Sequence, residues 1–279
     1  RVLADFRIGA KWANVIRFRW FEFINYASWY PNKAWLTFNI PALAGARGAV
    51  LTAFPDPDPE TTTCDGRAYE NYNNAGGISW ATIRGNAGNG AGDADLPPIV
   101  TINANDDAVN LEWKFNQRSF FGFSTSSIGA GGTINTATLS FFGVSKLDDG
   151  TAITPDINVY ATTSIFTTSI VNGDYDAITL DSPTELSTTI SYANFSTTAY
   201  NDFVLNASGR SEVSVTGISR FCARNANYDA SGTAPTWSSL SSHNLEARFA
   251  DQAGTTNDPQ LVVDYTAGAV VRRRIYRHT

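Results

Sequence analysis

Two histidines, His243 and His278, are all that this 279-residue sequence offers for imidazole chemistry. His243 follows Ser241 and Ser242 in a polar stretch, and a Ser–His pair is the start of a nucleophilic triad. A triad also needs a serine held at a strained turn and a carboxylate that orients the imidazole. No Gly-x-Ser-x-Gly occurs, so His243 reads as a solvated loop residue and His278 as further charge in an arginine-rich stretch. Carboxylates are plentiful, with 26 Asp and Glu. Glycoside hydrolysis requires two of them about 5–10 Å apart in a cleft. Most acids here lie in Asp-Gly or Asn-Asp turns, where the carboxylate caps its own backbone. The sequence therefore reads as non-enzymatic.

The same turns supply the candidates for a cation. Calcium takes six to eight oxygen ligands from loop carboxylates and carbonyls. Asp93 and Asp95 in a Gly-rich loop, or Asp106 and Asp107, could contribute. No run matches an Asp-x-Asp-x-Asp-Gly loop, so turn capping is the stronger reading and no cofactor is required. Sugar binding by ring stacking would draw on Tyr69, Tyr72, Trp80, Tyr228 and Trp237, which lie near Asn- and Gly-rich stretches; Tyr69, Trp80 and Trp237 are the ligand-binding candidates. Core packing is the default for any single ring. Cys64 and Cys222 form the one possible disulfide, and free buried thiols are expected instead.

The elements that must position these groups are strands. Val109, Leu111, Trp113 and Phe115 alternate with Asn110, Glu112, Lys114 and Asn116. Leu36-Phe38-Ile40, Leu245-Ala247-Phe249 and Leu261-Val263-Tyr265 alternate in the same way. Period two marks half-buried antiparallel strands. Further strands are expected at 78–84, 118–123, 134–144, 156–161, 188–195 and 218–224. Gly-, Asn- and Asp-rich turns separate them at 86–93, 129–132, 148–150 and 172–174. One short helix is expected over Ala207 to Val213, capped by Asn206 or Ser208. The fold class is all-β, a sandwich or a barrel. No apolar run approaches the roughly 20 residues of a membrane helix. Residues 1–14 lack the apolar core of a signal peptide, and with Arg1 first and no Met, the start is expected to lie upstream or to have been trimmed.

Charge and aromatic content divide the chain. Residues 1–50 carry a net +5, residues 270–279 a net +4, and residues 51–269 a net −15. Eleven aromatics fall between Phe6 and Phe38, including Trp12, Trp20, Trp29 and Trp35. Around Arg17 and Arg19 the strand-like run Arg-Phe-Arg-Trp-Phe-Glu-Phe-Ile, with Phe21 and Phe23, is apolar on both faces. Trp, Tyr and Arg dominate binding hot spots, so this arm reads as a partner-binding surface, joined by Arg272, Arg273 and Arg274. Its partners would be other structural proteins or copies of the same chain. The acidic remainder disfavours nucleic acid. The proline-rich run Phe54-Pro-Asp-Pro-Asp-Pro-Glu cannot be a central strand and marks a boundary.

From about residue 54 to 266 the sequence resembles a module of tailed-phage structural proteins and environmental viral sequences. That module is a jelly-roll relative of the domains carrying an Asp-Asn-Arg-Leu-Arg-Glu signature. The resemblance lies in Asp65-Gly-Arg-Ala-Tyr, Trp80-Ala-Thr-Ile-Arg-Gly-Asn-Ala-Gly-Asn-Gly, Arg118-Ser-Phe-Phe-Gly-Phe-Ser-Thr-Ser-Ser-Ile and Ile134-Asn-Thr-Ala-Thr-Leu-Ser-Phe-Phe-Gly. It continues in Tyr200-Asn-Asp-Phe-Val-Leu-Asn-Ala-Ser-Gly, Ala234-Pro-Thr-Trp-Ser-Ser and, most specifically, Phe249-Ala-Asp-Gln-Ala-Gly-Thr-Thr-Asn-Asp-Pro-Gln-Leu-Val-Val-Asp-Tyr. The six-residue signature itself is absent.

The resemblance implies a jelly-roll β-sandwich without catalytic residues, used on virions or cell surfaces for adhesion, spacing or decoration. The expected layout is an N-terminal extended aromatic and basic docking arm (1–53), a jelly-roll body (54–266) and a basic C-terminal tail (267–279). The expected role is a bacteriophage virion protein: a capsid decoration, tail fibre or tail-appendage subunit that stabilises the particle or adheres to a surface glycan. A secreted carbohydrate-binding module and a self-assembling surface-filament subunit are the alternatives.

Overall fold

A computed structural model describes residues 36–39, 48–72, 77–92, 99–104, 112–149, 153–251, 254–268 and 273–276. The chain divides into two compact units, one made of Arg1–Gly45 with Ala269–Thr279, the other of Ala46–Gly268. In the first unit, β1 (Leu36–Asn39) pairs antiparallel with a second short strand, Arg273–Tyr276, so that Leu36 faces Tyr276 and Asn39 faces Arg273. The arginine stretch expected as a separate tail thus shares a sheet with the N-terminal segment.

The second unit is all-β, as the alternation implies. In chain order it contains β2 (Gly48–Ala53), β3 (Asp65–Asn71), α1 (Trp80–Gly85), β4 (Gly90–Gly92), β5 (Val100–Ala104) and β6 (Trp113–Ser124). Then follow β7 (Thr133–Asp148), β8 (Ile157–Tyr160), β9 (Tyr200–Val204), α2 (Ala207–Ser211), β10 (Ile218–Asn225), β11 (Ser242–Ala247) and β12 (Gln260–Thr266); the arginine strand of the first unit is β13. The strands join edge to edge in the order β2-β12-β7-β11-β5-β6-β10-β8, all antiparallel. β2, which the sequence places in the arm, is a strand of this sheet.

Two long strands organise the rest. β7 pairs with β12 over its first half and with β11 over its second, while β9 takes its other edge. β6 pairs with β3 on one edge, and on the other with β5 and then β10. Because side chains alternate across a strand, the odd residues Phe121 and Phe123 join the main core, whereas Phe120 joins a second cluster with Cys64, Ala68, Phe166, Tyr175 and Cys222. The main core is sandwich-like. Phe121 meets Phe141 of β7 at 4.3 Å between ring centroids, and Phe141 meets Phe203 of β9 at 5.3 Å. At Gly143, where β7 passes between its partners, an added Cβ would run into the Ser196 carbonyl, so only glycine fits.

Some local expectations differ. Residues 78–84 are not a strand: α1 starts at Ser79, whose Oγ accepts from Thr82 N (3.2 Å). Trp80, Ile83 and Arg84 then bury one helical face at i, i+3 and i+4. Residues 188–195 make one isolated bridge, Ile190 to Ile157, rather than a strand. The short helix forms as α2, where Asn206 Oδ1 accepts from Gly209 N (3.0 Å), and it ends two residues early.

Phe121→Ala empties the junction of β6, β7 and Phe249. A urea titration should show a loss of about 3–5 kcal/mol; a loss under about 1 kcal/mol would contradict this packing.

Candidate functional site

Sequence candidates fall into three groups. Trp12, Arg17, Arg19, Trp20, Phe21, Phe23, Trp29, Trp35 and Arg272 lie outside the described residues, as do Asp93, Asp95, Asp106 and Asp107. Arg273 and Arg274 lie on β13, opposite Asn39 and Phe38. The rings scatter. Trp80 is buried, edge-on to Trp113 at 5.0 Å, so it is a core residue and not a stacking platform. Trp237 packs half-buried beside that cluster and donates its indole N–H to Glu112 O (2.9 Å). Tyr69 is half-buried and stacks on Phe115 at 5.0 Å.

His243 needs correction. It is not a solvated loop residue but lies on β11, fully buried, with Nε2 3.3 Å from Asp149 Oδ1. Asp149 also accepts from Ser242 N (2.6 Å), so the carboxylate closes the start of the strand. Cys64 and Cys222 are buried and form no disulfide, and burial pushes the Cys222 thiol up to about 12, where it is inert at neutral pH.

The densest polar chemistry was not singled out from the sequence. Asp229, fully buried in the π-helical turn Ala226–Ala230, is gripped by arginines from three elements. Arg118 of β6 donates from Nε to Oδ2 (2.8 Å) and from Nη2 to Oδ1 (2.7 Å), a bidentate pair. Arg224 of β10 donates to Oδ2 (3.0 Å), and Arg84 of α1 lies 3.4 Å from Oδ1 while bonding the Asp229 carbonyl (2.8 Å). Burial alone would raise the Asp229 pKa, but Arg118 and Arg224 outweigh it and hold the carboxyl far below the usual range.

The remaining guanidinium donors reach backbone. Arg118 bonds the Tyr175 and Arg84 carbonyls, and Arg224 those of Thr179 and Leu180. Arg118 also lies 3.9 Å over the Tyr175 ring, whose hydroxyl donates to Ile83 O (2.7 Å) and accepts from Asn116 (2.7 Å). One carboxylate thereby ties α1, the 175–181 loop and the 226–230 turn to the face of β6 and β10. Arg84 extends the network outward to Asp181, which is 69% exposed. The signal in the sequence was a charge inside an apolar strand, as in Phe221-Cys-Ala-Arg224. Its partner Asp229 is set by a turn that strand periodicity does not reveal.

Among the described residues one carboxylate group has metal-ligand spacing: Asp58, Glu60 and Asp251 place one oxygen each within 4.8 Å of one another. An oxygen-only set suits a hard cation, with three ligands of the six to eight that calcium takes. Beside it Asp65 is buried, and burial followed by the Asp251 charge raises its pKa well above the ordinary value, although Ala250 N (3.0 Å) bonds the carboxylate. No helix among the described residues is long and apolar enough to cross a membrane. No protein-family model matches the chain, and no curated protein sequence matches it.

The two buried carboxyls should behave oppositely with pH. Asp229 has a depressed pKa, so its stabilisation is full above about pH 4 and is lost only as pH falls towards its folded value. Asp229→Asn at neutral pH leaves buried arginines uncompensated and should cost about 3–5 kcal/mol in urea unfolding. Asp65 has a raised pKa, so its contribution is full below about pH 4 and is lost as pH rises through the folded value. Urea midpoints at about pH 4 and pH 8 should show wild type losing ground to Asp65→Asn as pH rises. Parallel midpoints would contradict the raised value.

Proposed function

We propose that the protein is a non-enzymatic structural subunit of a phage virion, a head-decoration, fibre or tail-appendage protein. It docks through the unit formed by residues 1–45 and 269–279, and the jelly-roll body displays its surface outward. The observation that carries this reading is the union of two distant basic segments. Pairing of β1 with β13 brings them into one compact unit with ten Lys/Arg and two acids, a net +8. The second unit has ten Lys/Arg and 24 acids, a net −14. A small unit with four of the seven tryptophans and most of the unbalanced positive charge suits a protein interface, with acidic neighbours as its complement. In the body, by contrast, the densest ionisable cluster spends its groups on tying loops to strands.

The test uses the full chain. Sedimentation velocity should show assemblies at about 0.01 M salt that dissociate towards about 1 M, as the screening length falls from roughly 30 Å to 3 Å. Gln at Arg272, Arg273 and Arg274 together, and separately Trp20→Ala, should shift wild-type assemblies to single subunits. They should also lower incorporation when particles are purified. A wild type that sediments as a single subunit at every salt concentration, with unchanged incorporation of both variants, would overturn the reading.

A further inference from the structure

Four neighbouring strands of the body line up a polar row. Asn71 of β3 lies opposite Phe115 of β6, Phe115 lies opposite Asn103 of β5, and Asn103 lies opposite Ser242 of β11. Residues directly opposite one another in paired strands share a face. All four are half-buried, and together with Ser241 and Leu240 they line a depression of about 350 Å³ at the ends of these strands. That size is at the lower end of the roughly 300–1,000 Å³ of small-molecule sites.

The wall has a built aromatic side. Gly90 of β4 lies against the Tyr69 ring so closely that an added Cβ would overlap it. Tyr69 in turn stacks on Phe115 with ring planes 27° apart. Phe115 is the member of that stack that lines the depression. The β4–β3 pairing thus fixes the orientation of a ring two strands away.

The polar side is incompletely satisfied. Ser241 is 1% exposed, and its Oγ has no hydrogen-bond partner among the described residues. Asn71 Oδ1 is also buried and has no hydrogen-bond partner among the described residues. A buried polar atom left without a partner is destabilising, and a ligand that supplies the missing bond removes that penalty. Asn103 Oδ1 is already bonded by Ser242 Oγ (2.8 Å), which leaves its amide N–H groups as donors. A hydroxyl-rich ligand answers this pattern: its oxygens accept from the Asn103 amide, and rotation of the Asn71 and Ser241 side chains towards it lets its O–H groups donate to their unpartnered oxygens. The apolar C–H face of a pyranose ring suits the flat Phe115 wall.

We infer that this depression is a saccharide-binding subsite, with Phe115 as the stacking ring and Asn71, Asn103 and Ser241 as the hydroxyl-recognising groups. Among the described lining residues there is no acid, and Lys114, their one charged group, is exposed, so the site would select by hydroxyls and ring stacking rather than by charge, and neutral sugars are its probes. The inference does not rest on the docking role of the terminal segments, since every residue used belongs to the body.

Saturation-transfer NMR on the full-length chain tests it with glucose, galactose, mannose, N-acetylglucosamine, cellobiose and lactose as probes. At least one should give saturable binding that weakens by about tenfold or more in Phe115→Ala and in Asn71→Ala. Ser241→Ala removes a single buried oxygen and serves where Phe115→Ala lowers the melting temperature. Val171→Ser, at an exposed position elsewhere, should bind as wild type does. Absence of binding by all six probes, or binding that survives Phe115→Ala, Asn71→Ala and Ser241→Ala unchanged, overturns the inference.

Discussion

One buried carboxylate sets the terms for half of the body. Asp229 accepts from Arg118 and Arg224, both with no exposed side-chain surface, and Arg84 closes the group from α1. Placing such charges in a low-dielectric interior is costly, and their attraction roughly offsets that cost when the geometry is good. The consequence is specificity more than net stability. Any arrangement that moves the 226–230 turn or α1 away from the sheet leaves a guanidinium buried without its anion. Those same guanidiniums hold carbonyls of residues 175, 179 and 180, so a long irregular segment acquires one permitted course.

This explains why β6 can be buried on both faces while belonging to a sandwich-like core. Its odd residues meet the rings of β7 and β9 through dispersion and apolar burial. Its even residues, Asn116, Arg118 and Phe120, meet a layer of loops whose backbone polar groups need partners. Arginine supplies several donors in a fixed fork, and two of them replace what would otherwise be many separate capping side chains. The body that results offers its half-exposed polar row where the strands end, beyond the reach of that second layer.

Much of the fold was legible because β7, β11 and β12 largely bury alternate residues, and alternation is what one covered face imposes. β6 was legible too, though its coverage on both faces was not. α1 was misread because six residues sample both periods: Trp80, Ile83 and Arg84 satisfy the helical spacing only when Ser79 is seen as a cap. His243 was misread because two serines precede it, while its burial comes from pairing with β5 and β7. The Asp229 group depends on contacts between residues 84, 118, 224 and 229, and the longest of these separations carries no local signal. Charge segregation was plain in the composition. That the first and last basic segments share one unit follows only from the pairing of β1 with β13.

The claim that a single carboxylate anchors the outer layer predicts a local effect, which native-state hydrogen exchange measures directly. In Asp229→Asn, amides of α1, of residues 175–181 and of the 226–230 turn should lose protection by a further tenfold or more, about 1.4 kcal/mol, beyond the loss that the drop in global stability imposes. Amides of β7, β9 and β12 should lose only what the drop in global stability imposes. Uniform loss over all strands and loops, or retained protection at 175–181, would contradict the account.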